Sequence, residues 1–156
     1  MKLPQRRRNS GFTLIELLVV ITILTILSTV VYVALDPPRR FRDSRNANRV
    51  NDVNSILTAV HQYFVDNGGS FPPGLTTSMP AKQIGTCTSG GATLCTGAAA
   101  SCVNLATPLA RYLKSMPVDK KTGSAATTGY SIEVDANNIV TVRSCSAEGI
   151  TVQVSR

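Results

Sequence analysis

The sequence predicts an α+β fold: a long N-terminal helix, membrane-spanning in its first half, packed on a small antiparallel β-sheet of about three strands. Three observations predict it. Phe12 to Leu35 is an apolar run of 24 residues with Glu16 as its only charge. Between Asp43 and Asp66, the apolar residues Val50, Val53, Leu57, Val60 and Phe64 recur at helical steps. Near the C-terminus the period changes to two, in the runs YSIEV, IVTVR and ITVQV.

The apolar run comes first. At ~1.5 Å per residue it makes a helix ~36 Å long, enough to cross a ~30 Å hydrocarbon core. A secretory signal would have a shorter apolar stretch with a small-residue cleavage site behind it. Here Tyr32-Val33-Ala34-Leu35 leads straight into Asp36-Pro37-Pro38, so the segment 12–35 is expected to be retained. The net charge of +7 is concentrated around it. Lys2, Arg6, Arg7 and Arg8 stand before the run; Arg39, Arg40, Arg42, Arg45 and Arg49 stand after it. Membrane-flanking charge accounts for most of the basic total without nucleic acid.

Residues 36–156 are read as one domain beyond the membrane. Pro37 and Pro38 lack backbone donors and interrupt helical bonding. An amphipathic helix is expected to resume over about 41–67, with Asn46, Arg49, Asp52 and Gln62 off its apolar stripe. Asn67-Gly68-Gly69 should cap it, and Pro72-Pro73 should prevent its return. Residues 68–101, rich in Gly, Ser, Thr, Ala and Pro, read as a long loop. Residues 103–115 read as a short helix with Leu105, Leu109, Tyr112 and Leu113 as its apolar face, despite Pro108. The alternating runs form a β-meander over 129–155, joined by Asp135-Ala136-Asn137-Asn138 and Ser146-Ala147-Glu148-Gly149. So small a sheet needs a cover, which the helix stripe supplies.

Cys87, Cys95, Cys102 and Cys145 all lie beyond the apolar run, and an even count there favours disulfides. Of the three possible pairings, the expected one joins Cys87 to Cys95 and Cys102 to Cys145. The spacings are not C-x-x-C and the lone histidine, His61, is distant, so neither zinc nor another cofactor is expected. His61 lies off the stripe without catalytic partners, and no enzymatic constellation is visible.

The run Gly11-Phe12-Thr13-Leu14-Ile15-Glu16-Leu17-Leu18-Val19-Val20-Ile21 resembles the N-terminal signature of type IV pilins and pseudopilins. The resemblance is strong over 6 to about 35. It extends to Asp66-Asn67-Gly68-Gly69-Ser70-Phe71-Pro72, and elsewhere covers layout alone. It implies a leader, residues 1–11, that a prepilin peptidase removes between Gly11 and Phe12 on the cytoplasmic side. It also implies N-methylation of Phe12 and an assembly role for Glu16. The subunit would start as a single-pass protein of the cytoplasmic membrane, N-terminus inside. It would then join an extracellular or periplasmic filament with other copies and other pilins, through the pilus or secretion assembly machinery.

The chemistry is consistent with this. A carboxylate within a membrane helix costs up to ~2.5–3.5 kcal/mol at the centre, less near the ends. The amine freed at Phe12 would lie one turn from Glu16. It can pair with Glu16 in the same chain or in a neighbouring helix, and the second pairing would set helix register. Thr13, Thr22, Thr25, Ser28 and Thr29 can bond their own backbone or a neighbour. The family more often carries alanine and glycine near Thr22 and Thr25, a departure that bears on how closely helices pack.

The resemblance leaves alternatives open: a pseudopilin of a type II secretion or competence (DNA-uptake) system, or a minor DNA-binding tip subunit. Arg39, Arg40, Arg42, Arg45 and Arg49 could meet lipid phosphates, DNA, or acids such as Asp43 and Asp52 on a neighbour. Leu113-Lys114-Ser115-Met116-Pro117-Val118-Asp119 resembles the segment before the calcium loop of major type II secretion pseudopilins. Lys120 and Lys121 follow where further oxygen ligands would be wanted, so no metal is expected.

Overall fold

The computed structural model describes residues 11–156. The expected leader, with Lys2, Arg6, Arg7 and Arg8, lies outside the described residues except for Gly11. The chain divides into two units, Met1–Arg40 and Phe41–Arg156.

In the first unit, α1 runs from Leu14 to Leu35 and buries none of its residues. It is long and apolar enough to cross a membrane. Asp36 ends it in the left-handed conformation (φ 40°), which Asp tolerates better than most residues. The second helix, α2, begins at Pro37 and runs to Asp66, so it starts earlier than the expected 41. The two prolines occupy its first turn, where no backbone donor is needed. The backbone N–H groups of Arg39 and Arg40 donate to the Asp36 carbonyl at 3.1 and 3.3 Å.

In the second unit, five strands form one mixed sheet in the order β2-β1-β3-β4-β5. They are β1 Met79–Ile84, β2 Ala99–Val103, β3 Tyr130–Val134, β4 Val140–Ser144 and β5 Gln153–Ser155. The strands β3, β4 and β5 form the expected antiparallel meander. The sheet is larger than the three strands expected, because the segment read as the loop 68–101 contributes β1, a single helical turn α3 (Gly91–Leu94) and the start of β2. Neither strand alternates cleanly: MPAKQI and AASCV carry too few β-branched residues to stand out. Their pairing makes them strands. β1 lies antiparallel to β3, and β2 parallel to β1.

The helix expected over 103–115 is also corrected. Its start, Val103, belongs to β2, and the rest is a series of turns. Pro108 cannot donate to the carbonyl one turn back. The bonds that remain mix spans of four (Leu109 N to Leu105 O, 3.1 Å) and three (Tyr112 N to Leu109 O, 2.9 Å). The apolar pattern was nonetheless informative: Leu105 and Leu109 are fully buried.

One core joins α2 to the sheet. It contains Val53, Ile56, Leu57 and Val60 of α2, Tyr130, Ile132 and Val134 of β3, and Val140 and Val142 of β4. Ile132 pairs with Val142 and Val134 with Val140, so these side chains share one sheet face. The buried face of α2 is rotated from the expected stripe. Val50 is 40% exposed, while Asn46 and Arg49, expected off the stripe, are 5% and 2% exposed.

The disulfides are Cys87–Cys102 and Cys95–Cys145, not the pairs expected from sequence. Their Cα separations are 5.0 and 4.8 Å. The reason is the unforeseen β1–β2 pairing. It places Cys87 and Cys102 side by side at the strand ends, where Cys102 N donates to Cys87 O at 3.0 Å. The loop after α3 then carries Cys95 to the end of β4.

Candidate functional site

At its N-terminal end α1 presents Gly11, Phe12 and Glu16, all exposed. Thr13 caps the helix from an extended backbone, its Oγ1 accepting from Glu16 N at 3.3 Å. Glu16 thus lies in the first turn, where the helix dipole favours a negative charge. No ion pair holds its carboxylate among the described residues. Thr22, Thr25 and Thr29 donate to the carbonyls of Leu18, Thr22 and Thr25 at 2.7, 2.8 and 2.9 Å. Each of these hydroxyls bonds a carbonyl of its own helix. What α1 offers outward is therefore an apolar surface with one carboxylate near its end, a surface that lipid or other helices must cover.

The five arginines after α1 separate into two groups. Arg39, Arg40 and Arg42 are exposed and form no ion pair among the described residues. Arg45 and Arg49, two of the candidates for contact with phosphate or a neighbouring subunit, are engaged within the domain. Arg45 grips Glu148 with two bonds, Nε to Oε1 at 2.6 Å and Nη2 to Oε2 at 2.7 Å. Arg49 donates from Nε to Asp119 Oδ2 at 2.5 Å and from Nη1 to Asn46 Oδ1 at 2.9 Å. Asn46 also exchanges bonds with the Glu148 backbone, donating to its carbonyl at 2.9 Å and accepting from its N–H at 3.1 Å. Asp52, proposed above for a neighbour's arginine, accepts from the Tyr130 hydroxyl at 2.6 Å. Burial and that bond push the Tyr130 hydroxyl far above its ordinary pKa.

Asp119 lies where the calcium-loop resemblance ends. It is 2% exposed, and its oxygens are already engaged. Besides Arg49, it accepts from the N–H groups of Lys121 and Thr122 at 2.9 Å each and from the Thr122 hydroxyl at 3.0 Å. Gly123 closes this loop on the Asp119 backbone, where a Cβ would collide. Burial alone would raise the Asp119 pKa; the Arg49 bond and the loop N–H groups outweigh it and hold the carboxyl below its usual range. Arg45 does the same for Glu148, against burial and with help from Lys121 and Arg49. Among the described residues, no group of three His, Cys, Asp or Glu stands close enough to hold a metal. His61 is half-buried on α2.

Sequence reading missed Asn46 and Glu148 as partners of Arg45 and Arg49, and Tyr130 as the partner of Asp52. Glu148 stood in a turn, and nothing local marked it as the acceptor for an arginine 103 residues away.

Fold and N-terminal segment together define a class: an α+β domain carried behind an apolar helix long enough to cross a membrane. Residues 6–32 match the family model described as the prokaryotic N-terminal methylation motif. Over 63 residues the chain is 41% identical to the type II secretion system core protein G of Aeromonas hydrophila, covering 40% of this chain and 43% of that protein. The match therefore spans less than half the length of the curated relative. No solved structure matches. Motif and relative together support the type IV pilin and pseudopilin family.

Proposed function

We propose that this chain is a structural subunit of a type IV pilus-like filament. It inserts in the cytoplasmic membrane with its N-terminus inside and is cut between Gly11 and Phe12. It is then methylated on Phe12 and polymerised through α1, with Glu16 pairing to the Phe12 amine of a neighbouring subunit. One observation carries the reading: the methylation motif, residues 6–32, runs into an apolar helix with no buried residue and a single carboxylate in its first turn. An apolar surface of that length needs lipid before assembly and other helices after it.

A second reading within the same class, a pseudopilin of a type II secretion system, is favoured by the match to a core protein G. Both readings require the same processing. Intact mass and N-terminal peptide sequencing of the membrane-purified protein test it, with a chain beginning at methylated Phe12 as the expected result. A chain still beginning at Met1 in cells with an active prepilin peptidase would sink both. Glu16→Ala in a correctly processed chain should then abolish filaments while leaving the folded domain intact.

A further inference from the structure

With Arg45 and Arg49 withdrawn into the domain, the positive charge left free beside the membrane segment is a compact tract. Arg39, Arg40 and Arg42 occupy the first turn and a half of α2, all exposed, with Phe41 between them at 65% exposure. The first turn holds no acidic residue. Three guanidinium groups therefore add to the positive end of the helix dipole, an arrangement that a bound anion would stabilise. Asp36 and Asp43 flank the tract, yet neither forms an ion pair with it among the described residues.

Chain length limits how far from the membrane face that anion can lie. Arg39 follows Leu35, the last residue of α1, by four positions, and Arg42 follows it by seven. A fully extended chain of that length reaches at most ~14 and ~25 Å. The tract itself occupies ~4.5 Å of helix, close to the ~5–8 Å thickness of one headgroup layer. Guanidinium groups bind phosphate through two parallel bonds, and an exposed phenylalanine beside them suits the boundary between headgroup and acyl chain. Against duplex DNA the same phenylalanine would have to reach a thymine methyl or wedge between base steps, whereas a headgroup boundary takes it without any such distortion. Positive charge also normally marks the cytoplasmic flank of a membrane helix, so arginines on the far flank call for a local cause.

We propose that Arg39, Arg40 and Arg42, with Phe41 among them, seat the start of α2 on phospholipid phosphates at the membrane face where α1 emerges. The proposal rests on the membrane insertion proposed above. Its role is to hold the subunit at a defined depth before assembly; extraction into a filament would have to break these contacts.

The chain contains no tryptophan, so Phe41→Trp supplies a single fluorescent indole. The full-length variant is reconstituted in vesicles of phosphatidylglycerol and phosphatidylcholine, the latter brominated near the headgroup. Insertion is scored separately by resistance to alkaline carbonate extraction. The expected result is strong bromine quenching of the indole in the carbonate-resistant protein. Replacing Arg39, Arg40 and Arg42 by Gln should reduce that quenching by roughly half or more without altering carbonate resistance, since each surface-bound cation contributes separately. Equal quenching with and without the arginines, or an indole fully open to aqueous iodide in inserted protein, overturns the proposal and leaves membrane insertion standing. Duplex DNA that displaces the indole from the bromine overturns it in favour of a nucleic-acid partner. A chain that fails to insert overturns both the proposal and the reading it rests on.

Discussion

Arg49 is 2% exposed and Asp119 is 2% exposed, and each makes the other tolerable. A buried charge is costly unless paired and hydrogen-bonded. Here the guanidinium reaches Asp119, Asn46 and Glu148, while Asp119 also closes its own loop through Lys121 and Thr122. Removing one partner strands the other. By urea unfolding at neutral pH, Arg49→Ala is expected to cost ~3–5 kcal/mol of stability, whereas Arg49→Met with Asp119→Asn, which removes both charges and keeps an acceptor for the Lys121 and Thr122 N–H groups, should recover part of that loss. The same urea titrations, run against pH, carry a second signature. Asp119 and Glu148 have depressed pKa values in the folded state. Their stabilisation is therefore complete above the ordinary carboxylate range, near pH ~4, and is lost as pH falls through that range toward their folded values. In Arg49→Ala the part of this acid-limb slope owed to Asp119 should flatten.

At the scale of the element, α2 shows where periodicity succeeds and where it slips. The helix was legible because apolar residues recur every three or four positions. Which side of that stripe faces inward was not, because Val50 and Ile56 lie at opposite margins of the apolar sector and are chemically alike. The sheet and Asp119 turn the helix so that Ile56 is fully buried and Val50 is 40% exposed. Ile56→Ala should therefore cost ~2–5 kcal/mol. Val50→Ala should change stability by less than about 0.5 kcal/mol. Thermal or urea unfolding of the two variants checks both values, and a reversed order would place the stripe where the periodicity alone puts it. The segment 103–115 shows the complementary case. Of its expected apolar face, Leu105 and Leu109 are fully buried, but Pro108 turns a helical pattern into a succession of turns.

For the whole molecule, the two disulfides interlock. Cys95 lies between the partners of the first bridge and reaches Cys145. The bridges close loops of 15 and 50 residues. On the chain-entropy account they stabilise by about 3 and about 4 kcal/mol. Replacing Cys95 and Cys145 by Ala should therefore lower stability more than replacing Cys87 and Cys102. Peptide mapping without reduction should recover the same two linkages; a Cys87–Cys95 peptide would contradict the β1–β2 pairing that brings Cys102 to Cys87.

By itself the sequence determined what depends on neighbours along the chain: the apolar span, Glu16 in its first turn, the proline break, the second helix and the C-terminal meander. These rest on hydrophobic period, caps and turn residues, which act over a few positions. Only the tertiary structure decided the rest. It made strands of Met79–Ile84 and Ala99–Val103, chose the disulfide partners, and drew Arg45 and Arg49 inward while leaving Arg39, Arg40 and Arg42 outside. Each of those outcomes joins groups far apart in sequence, as Arg49 and Asp119 are, 70 residues apart. No local pattern encodes such a pairing, because its energy exists only once the sheet has closed on α2.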